Sequence, residues 1–272
     1  MKIQIASDLH LEFYRNTQDT ASFFKSLVDP TTDADLLILA GDIGYPEDTI
    51  TQDFIHWCCS KWPEVVWVYG NHEYYNKEKS HAWRHSKHIY TMAEKEGEAL
   101  ILENLHILHS SEFVYDGIPI LGTTLWTDVK SSEANSLQNA MADFTYIKQN
   151  DGYPLTVSEW TSRHAVEREW LQVNLDRIAL EGQKAIVVTH HLPTYEMILP
   201  QYKSYPNNCG FAAHADDLVN HPGVALWICG HSHGQRTLEL EGRQVILNAR
   251  GYPREESVNS YNSKYVIKYP SK

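Results

Sequence analysis

Short apolar or β-branched runs recur along the chain and predict strands. They cover residues 2–6, 36–40, 65–69, 118–125, 185–189, 224–229, 237–240, 245–247 and 265–268. Segments with helix-compatible spacing of apolar residues lie between them, at roughly 17–28, 47–61, 77–96 and 158–181. Strands and helices alternate in the first half, whereas closely spaced strands with a hairpin signal at Glu241-Gly242 dominate the second. This pattern predicts an α/β protein with mixed sheets in two layers.

The length of 272 residues is within reach of one large α/β domain. No repeat, low-complexity run or Pro/Gly-rich linker divides the sequence, so we expect a single domain over residues 1–272. Two stretches, near 124–181 and 194–222, are long enough to be insertions that form a substrate wall or a lid over a site.

Charge and hydropathy indicate which binding partners and which cellular location to expect. The 23 Lys and Arg against 35 Asp and Glu give a net charge of −12, which argues against nucleic acid as a partner. No apolar run approaches the ~20 residues that cross a bilayer, and polar Asp8 and His10 come too early for a secretory signal. We therefore expect a cytoplasmic protein without membrane contact.

The cysteines do not provide a site. Cys58, Cys59, Cys209 and Cys229 form no CxxC pair and no regular spacing, which excludes a disulfide framework and a cysteine-based zinc site.

Ligand-type residues follow the carboxyl ends of five predicted strands. In chain order the blocks are Asp8-Leu9-His10, Gly41-Asp42, Gly70-Asn71-His72-Glu73, His190-His191 and Gly230-His231-Ser232-His233. Sites in open α/β sheets are assembled at that edge, because the loops converge there while the strands hold them rigid. We therefore expect these side chains to meet.

The chemistry of these blocks suits two divalent cations. Asp8 and His10 are two residues apart and share one face if the segment is extended, so both can bind one ion. The two carboxylate oxygens of Asp42 can bridge two ions, and histidine and amide ligands complete a nitrogen and oxygen set typical of manganese, iron or zinc. Paired ions of this kind leave net positive charge for an incoming phosphate.

The five blocks, taken in order over residues 8–233, resemble the signature of the calcineurin-like metallophosphoesterase superfamily. That signature is DxH, GD, GNH[ED], a histidine before a proline, and GHxH. The resemblance implies a two-layered mixed β-sandwich flanked by helices, the metallo-dependent phosphatase fold, with a dinuclear metal site. It implies one ion held by Asp8, His10, Asp42 and His233, and a second held by Asp42, Asn71, His190 and His231. It further implies that His72 contacts phosphate and protonates the leaving group.

Several residues near these blocks have weaker assignments. Glu73 is expected to orient a ligand or His72, His191 to support the site or contact substrate, and Arg250 to clamp phosphate if it is not simply exposed. The tyrosines at 45, 74 and 75 and Trp126 either stack a nucleobase or an aromatic leaving group, or pack in the core. The histidines at 81, 85 and 88 have helical spacing and mimic a metal site, but the surrounding Lys and Arg favour a solvated face. Two segments, 124–128 and 248–253, also look familiar from bacterial members of the superfamily, without an assignable role.

The sequence thus predicts metal-dependent hydrolysis of a small phosphomonoester or phosphodiester by a hydroxide that two metal ions activate. A nuclease is an alternative that the charge disfavours. A non-catalytic protein-binding scaffold on the same fold is another, although all seven ligand positions and His72 are intact.

Overall fold

Two β-sheets form the centre of the chain, which a computed structural model describes for residues 1–14, 19–75, 102–149, 152–255 and 257–270. The first sheet has the order β11-β1-β2-β3-β4, and the second has the order β5-β6-β7-β8-β10-β9. The strands are β1 (Lys2–Ala6), β2 (Leu36–Ala40), β3 (Glu64–Val68), β4 (Leu105–Leu108), β5 (Ser111–Tyr115), β6 (Ile118–Thr123), β7 (Ala185–Thr189), β8 (Val224–Cys229), β9 (Gly234–Leu240), β10 (Arg243–Ala249) and β11 (Val266–Lys268).

Both sheets are mixed. Strands β1 to β4 run parallel and β11 pairs antiparallel with β1. Strands β6, β7, β8 and β10 run parallel, while β5 and β9 pair antiparallel at the edges. The expected α/β sandwich of two mixed sheets is therefore confirmed.

The helices, numbered among the described residues, flank the sheets. They are α1 (Thr20–Leu27), α2 (Thr49–Cys59), α3 (Ser131–Ala140), α4 (Asp143–Tyr146), α5 (Val157–Leu180), α6 (Asp216–Val219) and α7 (Ser257–Ser260). Within the described ranges, the structure shows no helix both long and apolar enough to cross a membrane.

The period of two along each strand builds the core. In β2, Ile38 faces the second sheet and belongs to the cluster between the sheets, whereas Leu37 and Leu39 belong to a cluster with α1 and α2. On the outer face of the second sheet, Leu171 of α5 packs in one cluster with Trp227 of β8. Burial on both faces holds the strand ends, and the loops that follow them, in fixed positions.

The predicted strands are present, with shifted ends. The run 118–125 stops at Thr123, because Leu125 and Trp126 have φ angles of 72° and 45°. Strands β4 and β5 were not predicted, since both are short and β5 has no buried residue. The predicted helix 77–96, with its three histidines, lies outside the described residues.

Candidate metal centre

Five strand ends meet at one edge of the sandwich. Strands β1, β2 and β3 are parallel neighbours in the first sheet, and β7 and β8 are parallel neighbours in the second, so their carboxyl ends point the same way. A bridge between Ser7 and Ala249 joins the two sheets at this edge. Three groups of side chains could bind a metal ion, and within each group the ligand atoms lie within 4.8 Å of one another. The groups are Asp8 with His10 and His233; His10 with Asp42 and His72; and Asp42 with His190 and His231.

One pair of histidines faces each other across the first half of this centre. The Nε2 atoms of His10 and His233 are 3.2 Å apart, and His233 Nε2 lies 3.5 Å from Asp8 Oδ1. The opposite ring nitrogens, Nδ1, donate to Glu12 at 2.9 Å and to Glu255 at 2.5 Å. Two Nε2 atoms so close need a proton or a cation between them, and the neighbouring carboxylate makes the position suit a cation.

A second pair repeats this arrangement. His190 Nε2 lies 3.2 Å from His231 Nδ1 and 2.9 Å from Asn71 Oδ1. The other ring nitrogens donate to the carbonyls of Ala40, at 2.9 Å, and Gly210, at 3.2 Å. Histidine ligands of metals are held in this way, with one nitrogen fixed by an acceptor and the other directed at the ion.

Asp42 lies between the two pairs. Its Oδ1 is 3.4 Å from His190 Nε2 and its Oδ2 is 3.9 Å from His10 Nε2. Burial opposes ionisation of this carboxyl, but the neighbouring histidines outweigh burial and hold its pKa well below the ordinary value. The two oxygens are therefore placed to serve two ions.

The local backbone differs from the expected extended DxH segment. Asp8 and His10 have φ angles of 55° and 52°, so both are left-handed, and alternation along a strand is not what brings them together. Instead, Asp8 N–H donates to Gly41 O at 2.9 Å and His10 N–H donates to Asp42 O at 3.0 Å. The turn after β1 is thus fixed against the turn after β2.

Two glycines let these turns approach each other. A Cβ on Gly70 would lie 2.2 Å from Asp42 Oδ1, and a Cβ on Gly41, whose φ is 89°, would lie 2.3 Å from His190 Nδ1. Side chains at either position would displace a candidate ligand.

Glu73 accepts hydrogen bonds from the turns after β2 and β3, and it does not line the cavity over the centre. One carboxylate oxygen accepts from the backbone N–H of Asp42 at 2.9 Å and of Gly70 at 2.6 Å, and the other from Ile43 at 2.7 Å and Gly44 at 3.4 Å. This geometry agrees with the expectation that Glu73 orients ligands.

His72 lies between a carboxylate and a phenol. Its Nδ1 donates to Glu12 at 2.8 Å, and its Nε2 lies 3.0 Å from the hydroxyl of Tyr252. Burial lowers the pKa of His72, but Asp42 and Glu12 outweigh burial and raise it to about 9. Because Nδ1 contacts Glu12 and His72 lines the cavity, Nε2 is the ring nitrogen available to exchange a proton there.

The weaker candidates His191 and Arg250 lie outside the cavity lining. His191 is fully buried, its Nδ1 lies 3.2 Å from Thr124 O, and its ring packs 4.3 Å from that of His231. Arg250 lies over the Tyr14 ring at 5.3 Å. His191 is thus placed to support His231, whereas the guanidinium of Arg250 contacts Tyr14.

The segment 124–128 supports the loop that carries Gly210. Thr127 Oγ1 donates to the carbonyl of Cys209 and accepts from Trp160 Nε1 at 2.8 Å. Asp128 accepts from the backbone and the ring of His214, both at 2.8 Å. Because the carbonyl of Gly210 holds the ring of His231, the segment 124–128 supports His231 indirectly, through the loop that carries Gly210.

A cavity of about 370 Å³ opens over the centre. Its floor includes Asp42, Asn71 and His231. Its walls include residues 140–143 and, from the second stretch, Ile198, Tyr202, Tyr205, Asn208 and Phe211. Both walls come from the stretches expected to be insertions.

Sequence reasoning missed the residues that hold the histidines. Glu12 is two positions after His10, so the extended block DxHxE carried a signal. Asp143, the first residue of α4, accepts from Asn71 Nδ2 at 2.8 Å, and Glu255 lies in a distant loop; neither residue had a local signal. Tyr252 lies within the segment 248–253, whose role could not be assigned from sequence.

Residues 1–235 match the sequence model of a family described as calcineurin-like phosphoesterase. An uncharacterized protein of Acanthamoeba polyphaga mimivirus is 28% identical, with 96% of this chain and 94% of that protein covered. The fold is similar to that of the phosphopantetheinyl hydrolase of Mycobacterium tuberculosis, with a TM-score of 0.68, 18% identity, and 97% and 94% of the two chains covered. It is also similar to a dimetal phosphatase from Danio rerio, with a TM-score of 0.51, 15% identity, and 90% and 86% covered.

Proposed function

The chain belongs to the calcineurin-like phosphoesterase family, and from this premise we propose that it hydrolyses a phosphomonoester or phosphodiester with two divalent transition-metal ions. One observation carries the proposal. Two pairs of ring nitrogens face each other at 3.2 Å, His10 with His233 and His190 with His231, and the Asp42 carboxylate lies between the pairs.

The donor set fits two ions. We assign Asp8, His10, Asp42 and His233 to one, and Asp42, Asn71, His190 and His231 to the other. Imidazole, carboxylate and amide ligands suit manganese, iron or zinc. When bound, such ions supply Lewis acidity at phosphoryl oxygens and lower the pKa of water.

The residues around the two ion positions bind the substrate and transfer a proton to it. His72 keeps a proton on Nε2 because Glu12 holds its Nδ1–H, and it donates that proton to the departing oxygen of the ester. The hydroxyl of Tyr252, 3.0 Å from Nε2, sets the direction of the proton before substrate arrives. The insertions near 124–181 and 194–222 supply the walls that bind the organic part of the substrate.

Hydrolysis of monoesters and diesters by chelated protein, reloaded with each metal, tests the reaction. His72→Ala should slow hydrolysis of an alkyl phosphoester by ~10²–10⁴-fold, because an alkoxide needs a proton to depart. Hydrolysis of a nitrophenyl ester should slow much less, and metal content should not change. His56→Ala serves as a control outside the centre. Equal slowing of both substrates would show that His72 only positions phosphate, and no metal-dependent hydrolysis of any ester would overturn the proposed function.

A further inference from the structure

The cavity over the candidate centre has two chemically different sides. Its floor is the ligand cluster, and its outer wall is apolar and aromatic. The wall residues are Met141, Ile198, Tyr202, Tyr205 and Phe211. A volume of about 370 Å³ lies in the range of ~300–1,000 Å³ in which pockets enclose small organic molecules.

The aromatic side chains form a continuous strip that begins at a candidate ligand. The Phe211 ring lies 4.8 Å from the His231 ring, and the Tyr205 ring meets Phe211 edge-on at 5.9 Å. Tyr202 and Tyr205 are 47% and 43% exposed, so the strip leads from the centre to solvent. A group attached to a phosphate at the floor would therefore contact Phe211 first and Tyr205 next.

The charges of the wall favour an uncharged group. Asp143 and Glu255 line the cavity, so two acidic side chains face a ligand bound there. Among the lining residues that the structure describes, none is Lys or Arg. A second anionic group on the substrate would meet carboxylate repulsion there. Aromatic faces bind planar and apolar groups well.

We propose that the site takes a singly phosphorylated ester whose organic group is uncharged and aromatic or apolar, with Phe211 and Tyr205 as the residues that determine this specificity. The inference rests on the proposed function, since it assumes that phosphate binds at the candidate centre.

Non-hydrolysable phosphonates test this inference by binding alone. In calorimetric titrations of metal-loaded protein, we expect phenylphosphonate to bind roughly tenfold or more tightly than methylphosphonate, because the ring buries apolar area on the strip. 4-Carboxyphenylphosphonate, which adds one negative charge to the same ring, should bind more weakly than phenylphosphonate.

Phe211→Ala and Tyr205→Ala should bring the ratio of phenylphosphonate affinity to methylphosphonate affinity close to one. Phe211→Leu, which keeps apolar volume, should retain part of it, and Tyr153→Ala, at an exposed tyrosine outside the cavity lining, should retain all of it. Equal binding of phenylphosphonate and methylphosphonate to the wild type would overturn the specificity inference while the proposed function stands. If no phosphonate binds and no ester is hydrolysed, the proposed function fails as well.

Discussion

Replacement of Glu73 by Gln isolates the structural role of the most densely hydrogen-bonded carboxylate in the centre. Its two oxygens accept four backbone N–H groups, from residues 42 and 70 on one oxygen and residues 43 and 44 on the other. Glutamine keeps the shape of the side chain, but one oxygen becomes an NH₂ group. Whichever way the amide is turned, two buried N–H donors then face another donor.

The cost follows from those two donors. A buried N–H left without an acceptor costs ~1–3 kcal/mol, so Glu73→Gln should lower the free energy of unfolding by ~2–6 kcal/mol. That is a large part of the ~5–15 kcal/mol that ordinarily stabilises a folded protein. Because the orphaned N–H groups belong to the turns that carry Asp42 and Asn71, metal occupancy should fall as well.

Burial and the charge of Asp42 raise the pKa of Glu73 to about 8. Urea unfolding of metal-free protein at about pH 9, where both oxygens of Glu73 accept, measures the stability effect without any contribution from bound ions. Glu239→Gln, at an exposed position on β9, is the matched control and should change the free energy of unfolding by less than ~0.5 kcal/mol. If Glu73→Gln is as stable as the control yet loses hydrolytic activity, the reasoning is refuted and Glu73 has a chemical role.

Three further substitutions test other contacts. Asp42→Asn should reduce metal content from two ions to at most one per chain in elemental analysis, because one bridging oxygen is lost; unchanged stoichiometry would contradict a bridge. Thr127→Val should weaken metal binding by ~10–100-fold in chelator competition, since the support of the loop behind His231 is lost; unchanged affinity would show that this loop needs no such support. Burial raises the pKa of Glu167 from 4.5 to about 7, so its stabilising effect is full below pH 4.5 and is lost as pH rises through 7. Between pH 5 and pH 8, the free energy of unfolding of Glu167→Gln should therefore rise relative to that of wild type, by at most ~3 kcal/mol in urea unfolding, whereas that of exposed Glu169→Gln should not. Parallel pH profiles for wild type and Glu167→Gln would refute this.

The strand ends were predictable because two simple features determine them, the apolar runs and the parallel pairing of the strands. Apolar runs locate the strands, and parallel pairing of β1, β2 and β3 then places their carboxyl ends at one edge, so Asp8, Asp42 and Asn71 follow neighbouring strand ends although they are far apart in sequence. The glycines at 41 and 70 indicated sharp turns, and the structure shows close approach at both.

The surroundings of the histidines were not predictable in the same way. Glu255 reaches the centre from a loop and Asp143 from the start of α4, and both positions depend on packing far from the strands. Nothing in their local sequence distinguishes them from solvent-exposed acids. The left-handed backbone at Asp8 and His10 was also missed, because an alternating polar pattern at a strand end looks the same whether the chain is extended or turned.

This backbone conformation bears on how the centre is held together. Asp8, His10, Asp42 and His231 all have φ angles between 52° and 69°, and a non-glycine residue held in a sparsely populated region costs ~1–3 kcal/mol. Aspartate and histidine adopt the left-handed region more readily than most residues, which reduces that cost. The rest is offset by contacts among the same residues: Asp8 N–H donates to Gly41 O at 2.9 Å, and the Asp8 carboxylate accepts from His231 N–H at 3.0 Å. Each turn is therefore stable only while its neighbours keep their own conformations, and substitutions at these positions should act on the centre as a unit rather than additively.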